Sequence, residues 1–288
     1  MFWLVEDDKQ LELFKNYAKG EAFVEIIPNN HFEHPTNNGV CAVYIRPLNS
    51  NKGFILTNNH SETLNVGIDA IKYVLNALDK IYVRDKKEFL HYFVLQKLFD
   101  ITLTSPTYIP DRTTSHQYFY YKYPSKEDVN RIVPIVKHYE YCENIFNDLK
   151  NRINEPINNF YNDKATVVFN AVERSGIRID RDRFKSYFYD ECNEYVYTQY
   201  NFKTLTTRPA NKFNGINYAA LNKDNGCRTC FIPRNDKFVE LDISAYHPTL
   251  LGLLVGYDFG EEDIHKAFAK MYKVDYQKSK ELTFKQLY

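Results

Sequence analysis

The 288-residue sequence is long enough for one or two domains, and 44% hydrophobic with 26% charged residues is the composition of a globular protein. Its 37 basic and 37 acidic side chains cancel, which excludes a partner held by overall charge alone. No apolar run approaches the ~20 residues needed to span a bilayer, and the N-terminus lacks the pattern of a signal peptide. We therefore predict a cytoplasmic protein with reduced cysteines and no membrane partner.

The first part of the chain predicts a mixed α/β (α+β) domain. Between Ala22 and Asn58 three apolar runs, AFVEIIP, VCAVYIRPL and GFILTN, alternate with turn-forming Asn, Pro and Gly clusters, as in a meander of strands. Apolar residues at helical spacing predict a helix over 63–78, followed by a strand at KIYV and a helix over 86–98. Strands followed by helices indicate a domain that ends near Tyr121.

The middle of the chain is predicted to be a helical connector. Helices are expected over 125–149, where Ser125 can cap the start, over 164–173, and from 181 to about 197. The segment from Lys203 to Lys237 then carries seven basic and two acidic residues, interleaved with asparagines that can bind phosphates or base edges. This local excess of five positive charges indicates either a nucleic-acid contact or a solvated basic loop.

The C-terminal part contains a candidate metal ligand. The segment from Lys237 to Asp242 is predicted to be a strand that ends at Asp242, with a helix through Leu250 to Val255 behind it. An acid at a strand end is a common metal ligand, although aspartate also caps helices. Downstream, Lys280, Phe284 and Tyr288 recur at helical spacing, which predicts one face that either binds a triphosphate and a base or packs in a core.

Two further patterns have structural interpretations. Cys227 and Cys230 form a CxxC without the second pair that a four-ligand zinc site needs, so we interpret them as structural thiols. His31 and His34 have helical spacing, but turn residues surround them, and we expect them to be structural or solvent-facing.

Taken in order, several segments resemble the motifs of family A DNA polymerases, the DNA polymerase I-like group, especially its phage forms. FNAVERSGIRID (169–180) resembles the E-x-x-G-[VI]-x-[IL]-D segment that follows the exonuclease domain, and TTRPANKFNGIN (206–217) resembles the template-primer-binding region. RTCF (228–231) resembles the approach to motif A, and VELDIS (239–244) resembles motif A itself. Further along, DIH (263–265) resembles the D-[IL]-H segment, and KELTFKQLY (280–288) resembles motif B.

The resemblance implies a fold and a domain order. It implies a degenerate RNase H-like, 3′–5′ exonuclease-type domain over 1–124, a helical connector with a reduced thumb over 125–202, and a partial polymerase palm with the start of the fingers over 203–288. It places the protein in the cytoplasm of a bacterium or a phage-infected host. The implied partners are primer-template DNA, a deoxynucleoside triphosphate and a C-terminal polymerase half or the remainder of the chain.

The resemblance also implies residue roles. Asp242 and the Ile243 carbonyl would ligate Mg2+, two ions supporting nucleotidyl transfer from the triphosphate to the primer 3′-hydroxyl. The residues implied to bind the nucleotide are His247, Lys280, Phe284 and Tyr288. Those implied to bind DNA are Arg208, Asn211, Asn217 and Arg228.

Four departures from the family pattern qualify these roles. His247 stands where the family has a glutamate that excludes ribonucleotides, and Tyr276 stands where it has a triphosphate-binding arginine. The stretch between Asp180 and Thr206 is too short for a full thumb. The sequence stops at Tyr288 inside motif B, before the motif with the second catalytic aspartate, so we expect the chain alone to be an inactive part of a polymerase, split or truncated.

The exonuclease-type domain is expected to have lost its activity. The family's metal-binding D-x-E is absent from the sequence, and the equivalent strand offers Glu25 alone. One alternative is an active nuclease with an altered set of acids, Glu25, Glu33, Asp85 and Glu140. The sequence is also compatible with a non-catalytic nucleic-acid-binding module and with a scaffold subunit that docks another protein.

Overall fold

The computed structural model describes residues 3–104, 130–189, 193–204, 209–211, 216–242, 245–260 and 262–287. The chain forms two compact units, Met1–Arg234 and Asn235–Tyr288. Ser125, at the predicted start of the connector, lies outside the described residues.

The first unit is built on a six-stranded sheet of mixed direction. Its strands are β1 (Trp3–Val5), β2 (Glu21–Pro28), β3 (Val40–Pro47), β4 (Phe54–Thr57), β5 (Lys80–Val83) and β6 (Leu98–Asp100). They lie in the order β1-β4-β3-β2-β5-β6. The meander β2-β3-β4 is antiparallel, whereas β5 pairs parallel with β2, β6 with β5, and β1 with β4. The predicted α/β class and the four predicted strands are therefore confirmed.

Helices cover both faces of this sheet, which explains why its strands are almost continuously apolar. One face is covered by α1 (Asp8–Lys15), α2 (Ile68–Ala77) and α3 (Lys86–Tyr92), and the opposite face by α4 (Ile135–Leu149). Alternate residues of a strand enter different cores: Val43 of β3 packs with the first group of helices, and Tyr44 packs with α4.

Several helices are shorter than the sequence pattern predicts. The helix expected over 63–78 begins only at Ile68, after Gly67 with a φ of 85°. The helix expected to reach residue 98 ends at Tyr92, and Leu98 instead begins β6, which packs beside β5. In the described part of the 125–149 segment, the helix begins behind Pro134.

The connector is part of the first unit and packs against α3. A π-helical turn, Phe160–Ala165, leads into α5 (Thr166–Ser175), and α6 (Arg181–Phe188) follows. The helix predicted from 181 to about 197 is wrong beyond Phe188, because Tyr189 adopts the left-handed conformation with a φ of 55°. Four short strands lie before and after α6 in the described part of the chain. They are β7 (Ile177–Arg178), β8 (Tyr195–Val196), β9 (Tyr200–Asn201) and β10 (Ala210–Asn211), in the antiparallel pairs β7-β8 and β9-β10.

The second unit contains three helices in its described residues: α7 (Tyr246–Val255), α8 (Ile264–Tyr272) and α9 (Tyr276–Leu287). α8 and α9 pack together, and the Ser279 hydroxyl donates to the His265 carbonyl at 2.9 Å. The strand predicted over 237–242 is wrong: these residues have no regular secondary structure, and Leu241 is 92% exposed. A strand needs a pairing partner, and in the described residues this segment pairs with none.

Candidate functional site

The predicted exonuclease-like acid, Glu25, forms a buried ion pair between two interior strands of the sheet, β2 and β5. Because β2 and β5 run parallel with Phe23 opposite Tyr82, Glu25 and Arg84 lie side by side just beyond this pair. The Arg84 guanidinium donates to Glu25 Oε1 from Nε at 3.0 Å and from Nη2 at 2.5 Å. Burial raises the pKa of the Glu25 carboxyl, and the charge of Arg84 opposes this rise. The cation beside this carboxylate is thus the Arg84 guanidinium.

The remaining acids of the nuclease alternative have their own local roles. Asp85 caps α3 by accepting from the Glu88 amide at 2.9 Å, and Glu140 forms an exposed pair with Lys137 at 2.9 Å. Glu33 is exposed in the turn after β2. Among the described residues no group of three metal-ligating side chains includes Glu25. This arrangement does not favour a nuclease built from these four acids.

Three residues of the E-x-x-G-I-R-I-D segment, Glu173, Gly176 and Asp180, have clear structural roles. Glu173 is buried and accepts from Lys87 Nζ at 2.6 Å, from the His91 ring at 2.9 Å and from the Tyr200 amide at 2.6 Å. Gly176 has a φ of 62°, and a Cβ there would lie 2.7 Å from the Tyr197 ring. Asp180 caps α6. The segment therefore fastens α5 to α3 and turns the chain towards β8.

The described basic residues of the 203–237 segment differ in their exposure. Lys203 Nζ lies 3.0 Å from the buried carboxylate of Asp100, with only 19% of its side chain exposed. Arg228 Nη2 donates to the Leu221 carbonyl at 2.8 Å, and the Arg234 guanidinium lies 4.9 Å from the Tyr195 ring centre, but both side chains stay exposed. Lys223 and Lys237 are exposed as well. Among the described basic residues of this segment, Lys203 is thus the one whose charge a buried carboxylate neutralises.

The residues predicted to bind DNA lie in several local environments. Asn211 Nδ2 donates to Thr198 Oγ1 and to the Ile216 carbonyl, both at 2.6 Å, and so braces its own loop. Asn217 precedes a single 3-10 turn, Tyr218–Ala220, and its carbonyl accepts from the Ala220 amide. Arg208 lies outside the described residues.

The residues predicted to bind metal and nucleotide lie in the second unit. Asp242 is exposed ahead of α7, and His247 is exposed in the first turn of that helix, its ring 5.3 Å from the Tyr246 ring. On α9, the Lys280 ammonium lies 4.4 Å from the Tyr276 ring centre, and Phe284 is 51% exposed. Ile243 and Tyr288 lie outside the described residues.

Lys280 and Phe284 each follow a residue of α9 that is buried, Ser279 and Thr283. Tyr276, one turn before Lys280, contacts the D-I-H segment: its hydroxyl donates to Asp263 Oδ2 at 3.3 Å, and its ring lies against the buried His265. Lys280 is therefore half-buried beside Tyr276, whereas Phe284 further along the helix is exposed.

The cysteine and histidine pairs singled out in the sequence are structural in the described residues. Cys227 and Cys230 are buried free thiols, and Cys230 packs with Ile179 and Phe184. His34 is half-buried, with Nε2 3.3 Å from the Thr198 carbonyl, whereas His31 is exposed. The structure instead brings together Cys41, His60 and His138, a group that sequence spacing did not reveal.

No family model matches this sequence, and no curated protein does. Among solved structures, the chain is similar to the catalytic core of RRP6 from Trypanosoma brucei, with a TM-score of 0.34 and 13% identity over 61% of this chain and 52% of that one. It is also similar to the POL domain of Pol1 from M. smegmatis in complex with DNA primer-template and dNTP, with a TM-score of 0.37 and 11% identity over 64% of this chain and 34% of that one.

The chain thus spans about half the length of the first of these structures and about a third of the second. TM-scores of this size do not establish a common fold, so the interpretation that follows rests on this chain's own residues. No helix in the described part of the chain is both long and apolar enough to cross a membrane.

Proposed function

We propose that the chain is the N-terminal part of a template-directed DNA polymerase of family A, which transfers a nucleotide from a deoxynucleoside triphosphate to a primer 3′-hydroxyl. The observation that carries this proposal is the order of the motif-like segments, from FNAVERSGIRID to KELTFKQLY, behind a mixed sheet. The strand order β4-β3-β2-β5-β6, an antiparallel meander continued by two parallel strands, supports an RNase H-like interpretation of that sheet.

The proposal assigns a role to each part of the chain. Residues 1–124 form the exonuclease-type domain, 125–202 the connector and reduced thumb, and 203–288 the partial palm and fingers. Arg208, Asn211, Asn217 and Arg228 would face the primer-template. Lys280 and Phe284 of α9, together with His247 and Tyr288, would bind the nucleotide.

Magnesium fits the donor chemistry of this proposal only in part. Mg2+ prefers carboxylate and carbonyl oxygens; Asp242 offers an exposed carboxylate, and the proposal adds the carbonyl of Ile243, the next residue in the sequence. Two ions in catalytic geometry need a second carboxylate, which the matched motifs do not supply. The proposal therefore assigns that carboxylate to polypeptide outside these 288 residues and expects the chain alone to be inactive.

The exonuclease-type domain is proposed to be non-cleaving. Two metal ions at this place in the sheet would need several carboxylates, but Glu25 is neutralised by Arg84 with both side chains mostly buried. Cys142 of α4 is buried beside this ion pair and offers a thiol of raised pKa, because it is desolvated there. A hard cation has few suitable ligands in such a site.

Primer extension tests the polymerase proposal. The chain is combined with a polypeptide that carries the second catalytic carboxylate, and extension of a labelled primer is measured with MgCl2. We expect extension by the pair and its loss in Asp242→Asn, whereas the neighbouring exposed carboxylate variant Glu240→Gln extends normally. Full extension by Asp242→Asn would remove Asp242 from the mechanism, and no extension by the unmodified pair would contradict the proposal.

A nuclease assay tests the exonuclease-type domain separately. The chain is incubated with 3′-labelled single-stranded DNA and either MgCl2 or MnCl2. We expect no cleavage. Cleavage that disappears in Glu25→Gln would instead support the nuclease alternative.

A further inference from the structure

Three side chains with metal-binding chemistry meet in the interior of the first unit. Cys41 lies near the start of β3, His60 in the loop after β4, and His138 in the first turn of α4. The Cys41 sulfur and one ring nitrogen of each histidine lie within 4.8 Å of one another, and all three residues are buried. The group therefore joins the sheet, a loop and the covering helix at one point.

Both imidazoles contact a backbone carbonyl through Nε2, as many metal-bound histidines do, while His60 Nδ1 also accepts from the Glu62 amide. His60 Nε2 lies 2.9 Å from the Val133 carbonyl, and His138 Nε2 lies 2.8 Å from the Asn130 carbonyl. A histidine ligand almost always donates its second ring N–H to a carbonyl or carboxylate, which fixes the tautomer and turns the other nitrogen towards the metal. Both carbonyls here belong to the short segment just before α4.

An acidic side chain lies close to the group. The Glu62 carboxylate lies close enough to influence His138 and accepts from the Ile135 amide at 3.2 Å, which places a negative charge near the group.

We propose that Cys41, His60 and His138 bind a divalent transition-metal ion, Zn2+ foremost, in a structural site that fastens α4 to the sheet. Thiolate and imidazole are donors that zinc prefers, and with three protein ligands a water molecule would complete its tetrahedral coordination. Binding converts the ion, the Cys41 thiol and two neutral imidazoles into a thiolate complex and releases one proton to solvent. The bond from the Glu62 amide to His60 Nδ1, 3.2 Å long, is replaced if the metal takes that nitrogen.

Metal binding by the whole chain tests this proposal. Tag-free protein is stripped with a chelator, and Zn2+ is titrated in competition with a chromophoric chelator while thermal unfolding is followed. We expect about one ion bound and about one proton released per chain, with a higher unfolding temperature. Co2+ in place of Zn2+ should give the near-ultraviolet absorption of a thiolate complex.

Matched variants assign the ligands. Cys41→Ala and His138→Asn should each weaken Zn2+ binding by at least about tenfold. Cys142→Ala, a buried cysteine one turn further along α4, should bind normally, and so should the double variant Cys227→Ala/Cys230→Ala. If the ligand variants do not fold, alkylation of Cys41 in the unmodified chain decides, since bound Zn2+ should protect that thiol.

Three results would contradict the proposed site. The first is that the unmodified chain binds no Zn2+. The second is binding that survives Cys41→Ala but is lost in Cys227→Ala/Cys230→Ala, and the third is alkylation of Cys41 at the same rate with and without Zn2+. None of these readouts depends on polymerase activity, so the site stands or fails separately from the proposed function.

Discussion

Replacing Glu173 by alanine should destabilise the first unit by about 3–5 kcal/mol, the usual penalty for removing one partner of a buried ion pair. The variant leaves the Lys87 ammonium in the interior, where only 3% of that side chain is exposed, without its counter-charge. It also removes the acceptor of the His91 ring and of the Tyr200 amide. For a unit of this size, the loss corresponds to a fall of about 6–20 °C in the unfolding midpoint.

The same network predicts how stability depends on pH. Burial by itself raises the pKa of Glu173, but the hydrogen bond from His91 and the charge of Lys87 outweigh it and hold the pKa below its ordinary value of 4.5. A carboxyl whose pKa is lower in the folded than in the unfolded state contributes stability above the unfolded pKa. This contribution should be full at neutral pH and disappear as the pH falls from 4.5 through the lower pKa of the folded state.

Urea unfolding followed by circular dichroism measures both effects. Glu140→Ala is the control, because its pair with Lys137 is half-exposed and should contribute less than about 1 kcal/mol. A double-mutant cycle of Lys87→Met with Glu173→Gln isolates the pair, since glutamine keeps an acceptor for the His91 ring and the Tyr200 amide. A loss below about 1 kcal/mol for Glu173→Ala, or strictly additive effects in the cycle, would refute the reasoning.

Three further predictions concern local features. Arg84→Met should destabilise the first unit by about 3–5 kcal/mol in urea unfolding, and Arg84→Met/Glu25→Met should recover part of that loss; no recovery would contradict the buried pair. Gly176→Ala should cost more than Gly256→Ala, because both glycines have positive φ but only the first would also clash; equal losses would exclude the clash. Asp263→Ala, which removes the cap of α8, should cost about 0.5–2 kcal/mol in the second unit, and an unchanged unfolding curve would contradict this.

The local pattern of apolar residues was sufficient to predict many of the strands and helices. The strands β2 to β5 and the helices α7 and α9 follow from runs of apolar residues and from helical spacing, which neighbouring residues determine together. Helix ends were less well predicted, because backbone conformations such as the left-handed Tyr189 depend on the packing that follows. The 237–242 strand failed for a related reason: alternation of side chains does not supply a pairing partner.

The sequence by itself determined the residue types of the candidate sites and the order of the polymerase-like motifs. Only the tertiary structure decided what several of those residues contact: Lys203 neutralises Asp100, and Glu25 is neutralised by Arg84. It also brought Cys41, His60 and His138 together from three separate elements. Composition counts charges and thiols, whereas sheet pairing and helix packing determine which of them are buried against one another and which remain available to a ligand.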